Sequence, residues 1–277
     1  MHPIIFQFGP ITIYSYGLCI ALAFLAGIAA AASRARRFGW RAENVYDVCL
    51  WAMVAALIGS RLFYVFESPR EFISAPWEVF MVWKGGLSYY GGLIGAVVAA
   101  AVYLKMRRLG VAEGFDLLIP SVSLGQAIGR IGCFLNGCCF GKVSALPFAV
   151  VFPEGSPAYS YQLYEAGIIK PGSPGTLPVH PAQLYETLMD LGIFIALSYV
   201  LSRKKYNGQV FLLYLVLYGA GRFLLEFIRA DNPVVTSLGG LSLNLQQLIS
   251  LAAFVIGTVV LVWAGARNRK RVALSGS

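Results

Sequence analysis

The stretch ITIYSYGLCIALAFLAGIAAAASRARR, residues 11–37, decides the class of fold. Residues 11–32 carry no charged side chain, and three arginines follow them within five residues. A run of about 20 mostly apolar residues is long enough to cross a bilayer as a helix, and Lys and Arg gather at the cytoplasmic end of such a helix. The stretch is therefore predicted to span a membrane and to end on the cytoplasmic side.

Six further stretches have the same apolar character, so the chain has seven predicted spans. Their residues are 11–32, 45–65, 86–103, 115–135, 184–201, 210–227 and 248–264. The composition agrees, because 58% of the 277 residues are hydrophobic and only 13% are charged, whereas about a quarter of a soluble domain is charged. The predicted fold is an all-α polytopic membrane protein, with residues 1–277 forming a single integral-membrane domain.

The positions of the basic residues give the spans a direction. Fourteen of the 22 Lys and Arg residues lie in loops 34–43, 104–113 and 202–209 and in the tail after residue 264. These are alternate loops, and the positive-inside rule makes them cytoplasmic. The N-terminus is therefore predicted to lie outside and the C-terminus in the cytoplasm. The net charge of +9 is then explained by loops that face anionic lipid, and no nucleic-acid partner is expected.

Two long loops fall on the outer side. Residues 67–84 include Trp77 and Trp83. Because such aromatic residues anchor a segment at the membrane surface, an extracytoplasmic interfacial arm is predicted there. Residues 137–182 are rich in Gly, Pro and Tyr and are predicted to form a small extracytoplasmic head. The N-terminus has neither a basic region nor a small-residue cleavage site, so no removable signal peptide is expected.

Three arginines, Arg61, Arg130 and Arg222, lie within predicted spans, each in the outer third. An arginine near the bilayer centre costs at least ~2.5–3.5 kcal/mol, and a buried guanidinium prefers a planar oxyanion as its partner. The phosphate of an outer-leaflet phospholipid is such an oxyanion, so these arginines are predicted to bind one. The alternative is that these arginines snorkel to the membrane surface or form structural ion pairs with acidic residues of the spans. Those residues are Glu186, Asp190 and Glu226.

Other polar side chains are predicted at the same depth. Tyr16 and Tyr90 lie near the outer ends of their spans. Glu226 and Tyr218 each lie four residues from Arg222, a spacing that puts side chains on one face of a helix. Arginines, tyrosines and carboxylates are therefore expected to converge below the outer headgroup layer.

Three of the five cysteines lie in GRIGCFLNGCCFGK, residues 129–142. Their C-x4-C-C spacing lacks the paired C-x2-C units of a structural zinc site, and the chain has only two histidines, His2 and His180. A small buried hydrophobe is the commoner fate of a free cysteine, so packing is expected, with a catalytic thiol as the alternative. No metal or organic cofactor is expected.

Five segments resemble those of the prolipoprotein diacylglyceryl transferase family. They are HPIIFQFGPITIYSYGL (2–18), KGGLSYYGGLIG (84–95), GQAIGRIGCFLNGCCFGK (125–142), HPAQLYE (180–186) and LYGAGRFLLEFIR (217–229). The resemblance implies a seven-helix membrane body that moves the diacylglyceryl group of phosphatidylglycerol to the lipobox cysteine thiol of prolipoprotein signal peptides. It also implies a thioether product, release of glycerol-1-phosphate, and the first step of lipoprotein maturation. The expected location is the bacterial inner membrane, among its lipids, with the active site toward the outer leaflet.

The resemblance implies roles for particular residues. Arg130 matches the signature arginine that binds phosphatidylglycerol, and Arg222 matches a second essential arginine. Both are expected to be catalytic, because fixed positive charge stabilises a departing phosphate. Further matches to important positions of the family are Tyr16, Asn136, Gly141, Tyr218 and Glu226. With Arg61 added because of its depth, these residues form the expected phosphatidylglycerol site.

Two places depart from the enterobacterial pattern of the family. Tyr90 stands where that pattern has a histidine, and Cys133 and Cys138 stand where it has asparagine and glutamate. The base that deprotonates the substrate thiol is therefore open between Tyr90 and His180, both expected to be catalytic. Tyr90 is favoured as a hydrogen-bonding residue.

Two other classes of function compete with the transferase. A transporter or channel would need a polar path through the full depth of the membrane, whereas the ionisable residues of this chain gather at the outer ends of its spans. A lipid-binding protein without chemistry would share the phosphate site but would not modify a lipobox peptide.

Overall fold

The computed structural model describes residues 4–8, 11–73, 75–238 and 241–275. These residues form nine α-helices, namely α1 (Ser15–Ala35), α2 (Ala42–Glu67), α3 (Pro69–Ile73), α4 (Tyr89–Met106), α5 (Val111–Asn136), α6 (Pro157–Ser160), α7 (Ala182–Leu201), α8 (Gln209–Glu226) and α9 (Leu245–Ser275). Seven of them, all but the short α3 and α6, are long and apolar enough to cross a membrane. The predicted seven-span helical fold is confirmed, and the direction of the spans stays a prediction.

Two antiparallel hairpins were not predicted. Strand β1 (Ile4–Phe8) pairs with β2 (Ile11–Tyr14), and β3 (Val234–Leu238) pairs with β4 (Leu241–Asn244). Helix α1 therefore begins at Ser15, four residues after the predicted start of the first span. The β2 residues are β-branched or aromatic, which favours an extended strand.

Helix α5 is continuous over 26 residues although Pro120 lies inside it. Proline is tolerated in membrane helices because neighbouring groups satisfy the freed carbonyl. The helix ends in a tight reversal, where Gly137 has a φ of 77°. Its amide donates to the Phe134 carbonyl at 3.2 Å, and the Cys138 amide donates to the Cys133 carbonyl at 3.2 Å. This is a Schellman turn, and it fixes the positions of the residues that follow α5.

The predicted interfacial arm, residues 67–84, is a chain of short turns. It contains α3 and two 3-10 turns, Pro76–Phe80 and Val82–Lys84. Trp77 and Trp83 are both largely exposed, as an anchor at a membrane surface requires. Its contact with the membrane stays a prediction.

The predicted head, residues 137–182, folds around a small apolar core. Phe140, Phe152, Ala158 and Val179 are buried against one another. Isolated bridges pair Val143 and Val150 with Val179, and Pro153 with Gly175. The segment thus packs its own core, and its location outside the membrane stays a prediction.

The chain divides into two compact units, residues 1–27 with 118–277 and residues 28–117. In the second unit, α2 and α4 approach closely, because a Cβ atom added at Gly59, Gly91 or Gly95 would meet the backbone of the facing helix. In the first unit, a Cβ atom added at Gly219 of α8 would lie 2.7 Å from the Ser250 carbonyl oxygen of α9. Small residues therefore mark helix contacts, as membrane packing requires.

Candidate functional site

One buried carboxylate holds three arginines together in the first unit. Glu186, near the start of α7, is 1% exposed. Its Oε2 lies 2.5 Å from Nε of Arg130, and its Oε1 lies 3.2 Å from Nη1 of Arg222 and 3.0 Å from Nη1 of Arg229. We call these four residues the Glu186 cluster. It joins the C-terminal part of α5, the start of α7, the end of α8 and the segment that follows α8 through one anion.

Arg222 is fixed by a second carboxylate on its own helix. Its Nη1 lies 2.6 Å from Oε2 of Glu226, one helical turn away, as the spacing predicts. Glu226 also accepts hydrogen bonds from the side-chain amides of Asn244, at 2.8 Å, and Asn232. The two asparagines thus hold Glu226 in place, and Glu226 in turn orients Arg222.

Arg229 is held by its side chain and its backbone. Its Nε and Nη2 donate to both oxygens of Asp231 at 3.0 and 2.7 Å. Burial opposes the charged form, but the Asp231 and Glu186 carboxylates outweigh it and raise the pKa of Arg229 above its ordinary value. The residue therefore stays cationic.

Gly141 forms an antiparallel β-bridge with Arg229, and its close contacts explain why a glycine occupies this position. Its amide donates to the His180 carbonyl at 3.0 Å. A Cβ atom at this position would lie 2.6 Å from Cβ of His180 and 2.8 Å from its carbonyl oxygen. Gly141 therefore allows two chain segments to pack closely beside the Glu186 cluster.

Arg130 is the most accessible arginine of the cluster. Its side chain is 22% exposed, against 9% for Arg222 and 5% for Arg229. An arginine has five N–H donors in a planar fork, so pairing through Nε is compatible with a second oxyanion at its terminal nitrogens. Arg130 is therefore the guanidinium of the cluster that an incoming ligand can best reach.

Two predicted tyrosines lie near Arg130. Tyr16, in the first turn of α1, packs near Gly132 of α5, where an added Cβ atom would lie 3.4 Å from its ring. It is close enough to Arg130 to interact with it electrostatically, as is Tyr218. The Tyr218 ring stacks on Tyr214 with centroids 5.2 Å apart. Arg130, Tyr16, Tyr218 and the Glu186 cluster thus belong to one neighbourhood.

Three thiols gather next to this neighbourhood. The Sγ atoms of Cys133, Cys138 and Cys139 all lie within 4.8 Å of one another. Asn136, the last residue of α5, immediately precedes the reversal that brings Cys138 and Cys139 back toward Cys133. Hydrogen bonds from the other two thiols, together with the guanidinium groups of Arg229 and Arg130, lower the pKa of Cys139 well below its usual range. Cys133 is buried, as expected, but the grouping of three sulfur atoms was not predicted.

His180 lies at the entrance to α7. Its Nδ1 is 3.3 Å from the Tyr185 hydroxyl, and its amide donates to the Lys142 carbonyl at 3.0 Å. The Ala182 amide donates to the His180 carbonyl at 2.8 Å. These contacts are those of a helix-entry turn, and a role as base stays a prediction.

Arg61 and Tyr90 belong to the second unit. The Arg61 side chain donates to the backbone carbonyls of Val79, at 2.9 Å, and Glu78 in the arm. It also donates to the carbonyls of Gly85 and Gly86, directly after the arm, at 2.7 and 2.9 Å. Four backbone carbonyls thus occupy this guanidinium, a structural role other than the ion pair considered as the alternative, and phosphate binding by Arg61 stays a prediction.

Tyr90 is the second residue of α4. Its ring meets that of Tyr89 edge to face, with centroids 5.6 Å apart. It is half-buried. Its catalytic role stays a prediction.

Sequence reasoning missed the polar face of α7. Glu186 and Asp190 were considered only as structural partners, and Arg229 was given no role. Gln183, Glu186, Thr187 and Asp190 are all buried, and in the described part of the chain Oδ1 of Asp190 has no hydrogen-bond partner. Their positions i, i+3, i+4 and i+7 mark one helix face, and this polar pattern is the signal that could have identified them.

Comparisons with known proteins agree over nearly the whole chain. Residues 3–263 match the family model described as prolipoprotein diacylglyceryl transferase. A phosphatidylglycerol–prolipoprotein diacylglyceryl transferase of Clostridium tetani is 31% identical over 260 residues, which cover 94% of this chain and 96% of that protein. The enzymes of the same name from Vibrio cholerae serotype O1 and Escherichia coli O1:K1 are 34% and 32% identical, over 97% and 96% of this chain and 93% and 94% of their own.

Proposed function

This chain belongs to the prolipoprotein diacylglyceryl transferase family, and we propose that the Glu186 cluster forms its site for the phosphate of phosphatidylglycerol. The chain is a multi-pass membrane enzyme that transfers the diacylglyceryl group from phosphatidylglycerol to prolipoproteins, the first step of lipoprotein maturation. The acceptor is the lipobox cysteine thiol, and the products are a thioether and glycerol-1-phosphate.

The observation that carries the site proposal is the sharing of Glu186 by three guanidinium groups. Arg222 and Arg229 have further carboxylate partners, Glu226 and Asp231, which fix their positions. Arg130 is paired with Glu186 and is the most exposed of the three. A phosphate that approaches Arg130 thus meets a guanidinium already oriented by Glu186, which Arg222 and Arg229 hold in place. Preorganised donors of this kind need no rearrangement when charge develops.

The reaction requires a thiolate, because the thiolate and not the thiol is the nucleophile. A free cysteine thiol has a pKa of ~8.5 and is mostly protonated at neutral pH, so it must lose its proton to a base. The thiolate sulfur forms a bond to the glycerol carbon, the bond from that carbon to the phosphate oxygen breaks, and the phosphate leaves with the electron pair. Negative charge grows on the departing phosphate, where Arg130 and Arg222 stabilise it. Tyr16, Tyr218, Asn136 and Gly141 line or shape this neighbourhood. The proton acceptor is open between Tyr90 and His180.

We place the enzyme in the bacterial inner membrane, with the Glu186 cluster toward the outer leaflet. The basic loops 34–43, 104–113 and 202–209 support this direction through the positive-inside rule. Arg130, Glu186 and Arg222 then lie at the opposite, outer ends of α5, α7 and α8.

The test uses purified protein, phosphatidylglycerol and a lipobox peptide, with the diacylglyceryl mass shift of the peptide as readout. Arg130→Ala is expected to slow transfer by about 10²–10³-fold, the cost of losing one charge-stabilising donor, and a Cys→Ser peptide is expected to stay unmodified. Arg203→Ala removes an exposed arginine in a basic loop and is expected to leave the rate unchanged.

Full activity of Arg130→Ala would show that the Glu186 cluster is not the phosphate site of the reaction. Absence of transfer by folded wild-type protein that binds phosphatidylglycerol would support a lipid-binding protein without chemistry.

A further inference from the structure

The thiols of Cys133, Cys138 and Cys139 form a group that is placed to hold a metal ion, and we propose that they bind Zn²⁺ through three thiolates with a fourth position open. The three sulfur atoms lie within 4.8 Å of one another. Zinc–sulfur bonds of about 2.3 Å place the sulfurs of a tetrahedral site about 3.8 Å apart. The sulfur atoms therefore need to approach one another by no more than about 1 Å to reach this spacing.

The backbone holds the three ligands in this arrangement. Cys133 lies in the last turn of α5, and the Schellman turn at Gly137 reverses the chain after it. The Gln183 side-chain amide donates to the Cys138 carbonyl at 2.6 Å. Cys139 has a φ of 62°, a conformation that non-glycine residues adopt rarely. Residues 138 and 139 thus direct both thiols toward Cys133, and each of the three cysteines is free of disulfides.

The charge of the surroundings suits a thiolate–zinc complex. Three thiolates and one Zn²⁺ carry a net charge of −1. Arg130 and Arg229 are close enough to interact electrostatically with Cys139. Two guanidinium groups would repel a bare cation, but they stabilise an anionic complex. The three thiols therefore suit a metal that thiolates bind strongly and whose charge they more than neutralise. Zinc behaves in this way with cysteine.

An open fourth position gives the ion a role in the reaction. Catalytic zinc sites have three protein ligands and leave one position for water or substrate, and a thiol that coordinates the metal loses its proton. The bound ion would lower the pKa of the prolipoprotein thiol, whose proton would pass to the base, Tyr90 or His180. The thiolate would then attack the glycerol carbon while the phosphate leaves toward Arg130. This role rests on the proposed function, whereas metal binding does not.

Metal binding is tested first, with the full chain in detergent, reduced and handled without oxygen. Titration with Co²⁺ is expected to give thiolate-to-cobalt charge-transfer absorption, and mass spectrometry is expected to find about one Zn²⁺ per chain. Cys138→Ser and Cys139→Ser are each expected to weaken Zn²⁺ binding by more than about 100-fold. Even mutation of residues that only support metal ligands lowers metal affinity by about 10–100-fold. Cys49→Ser, in the second unit, is the matched control and is expected to bind normally.

Thermal unfolding separates loss of the site from loss of the fold. Zn²⁺ is expected to raise the Tm of wild type and Cys49→Ser but not of Cys139→Ser. The proposal is overturned if folded protein takes up no stoichiometric metal, or if Cys139→Ser binds like wild type. It is also overturned if two of the thiols form a disulfide, seen as the loss of two hydrogen masses, in protein that takes up no metal.

Activity is tested second, with metal-free and zinc-restored protein and the lipobox peptide. Transfer is expected to be lost on metal removal and restored by Zn²⁺, while phosphatidylglycerol binding stays unchanged. Transfer that continues without metal would overturn the role in thiol activation and leave the site standing. Absence of transfer by zinc-loaded wild type would count against the proposed function instead.

Discussion

Glu186 is a single residue on which three cations depend. Its carboxylate lies 2.5 to 3.2 Å from Arg130, Arg222 and Arg229. It thus supplies negative charge that compensates the positive charge of these buried or partly buried arginines. Breaking a buried ion pair by removing one partner costs about 3–5 kcal/mol, because the remaining charge loses its compensation. Glu186 therefore supports the fold and the orientation of the arginines together.

We expect Glu186→Gln to lower the Tm strongly and to reduce diacylglyceryl transfer, because the amide keeps the shape of the side chain but not its charge. Glu154→Gln, at an exposed position of the head, is the control and is expected to change stability by no more than about 0.5 kcal/mol. The measurements are thermal unfolding in detergent and the peptide mass shift. A Glu186→Gln protein with wild-type Tm and rate would show that the arginines do not need this carboxylate.

At the scale of elements, the chain segments around Gly141 are packed without spare room. The Lys142 amide donates to the Ile228 carbonyl at 2.7 Å, and the His180 amide donates to the Lys142 carbonyl at 3.0 Å. Gly141 thus lies between the segment that carries Arg229 and the segment that leads into α7 and Glu186. Their spacing sets the spacing of the charged groups.

We expect Gly141→Ala to destabilise the protein by about 1–3 kcal/mol through overpacking and to slow transfer by displacing Arg229. The matched control is Gly192→Ala in α7, where an added Cβ atom meets nothing within 4 Å and where alanine favours the helix. Thermal unfolding and transfer rate are measured for both. Equal behaviour of the two variants would mean that the backbone at Gly141 yields without cost.

The elements also show how far sequence reasoning reaches. The spans are set by long apolar runs, and the Arg222–Glu226 pair by a local spacing, so both could be predicted. The hairpin strand at Ile11–Tyr14 could not, because its apolar residues merge with those of α1. The grouping of three thiols depends on a chain reversal at Gly137, and the occupation of Arg61 depends on carbonyls far along the chain. Neither leaves a periodic pattern in the sequence.

At the scale of the whole molecule, the basic loops give a testable direction. We expect Lys170→Cys, in the head of a variant whose five native cysteines are replaced by serine, to react with a membrane-impermeant maleimide in intact spheroplasts. Lys204→Cys, in the loop between α7 and α8, is expected to react only after the membrane is opened, because the positive-inside rule puts it in the cytoplasm. The reverse pattern of labelling would invert the proposed topology.

The sharing of Glu186 has a consequence for the order of synthesis. Arg130 leaves the ribosome 56 residues before Glu186, which at 5–20 residues per second is a delay of about 3–11 s. During that interval α5 carries a cation into the bilayer without its counter-ion. We expect the nascent α5 to be retained at the insertion machinery, and to be released into lipid only when α7 arrives with the carboxylate.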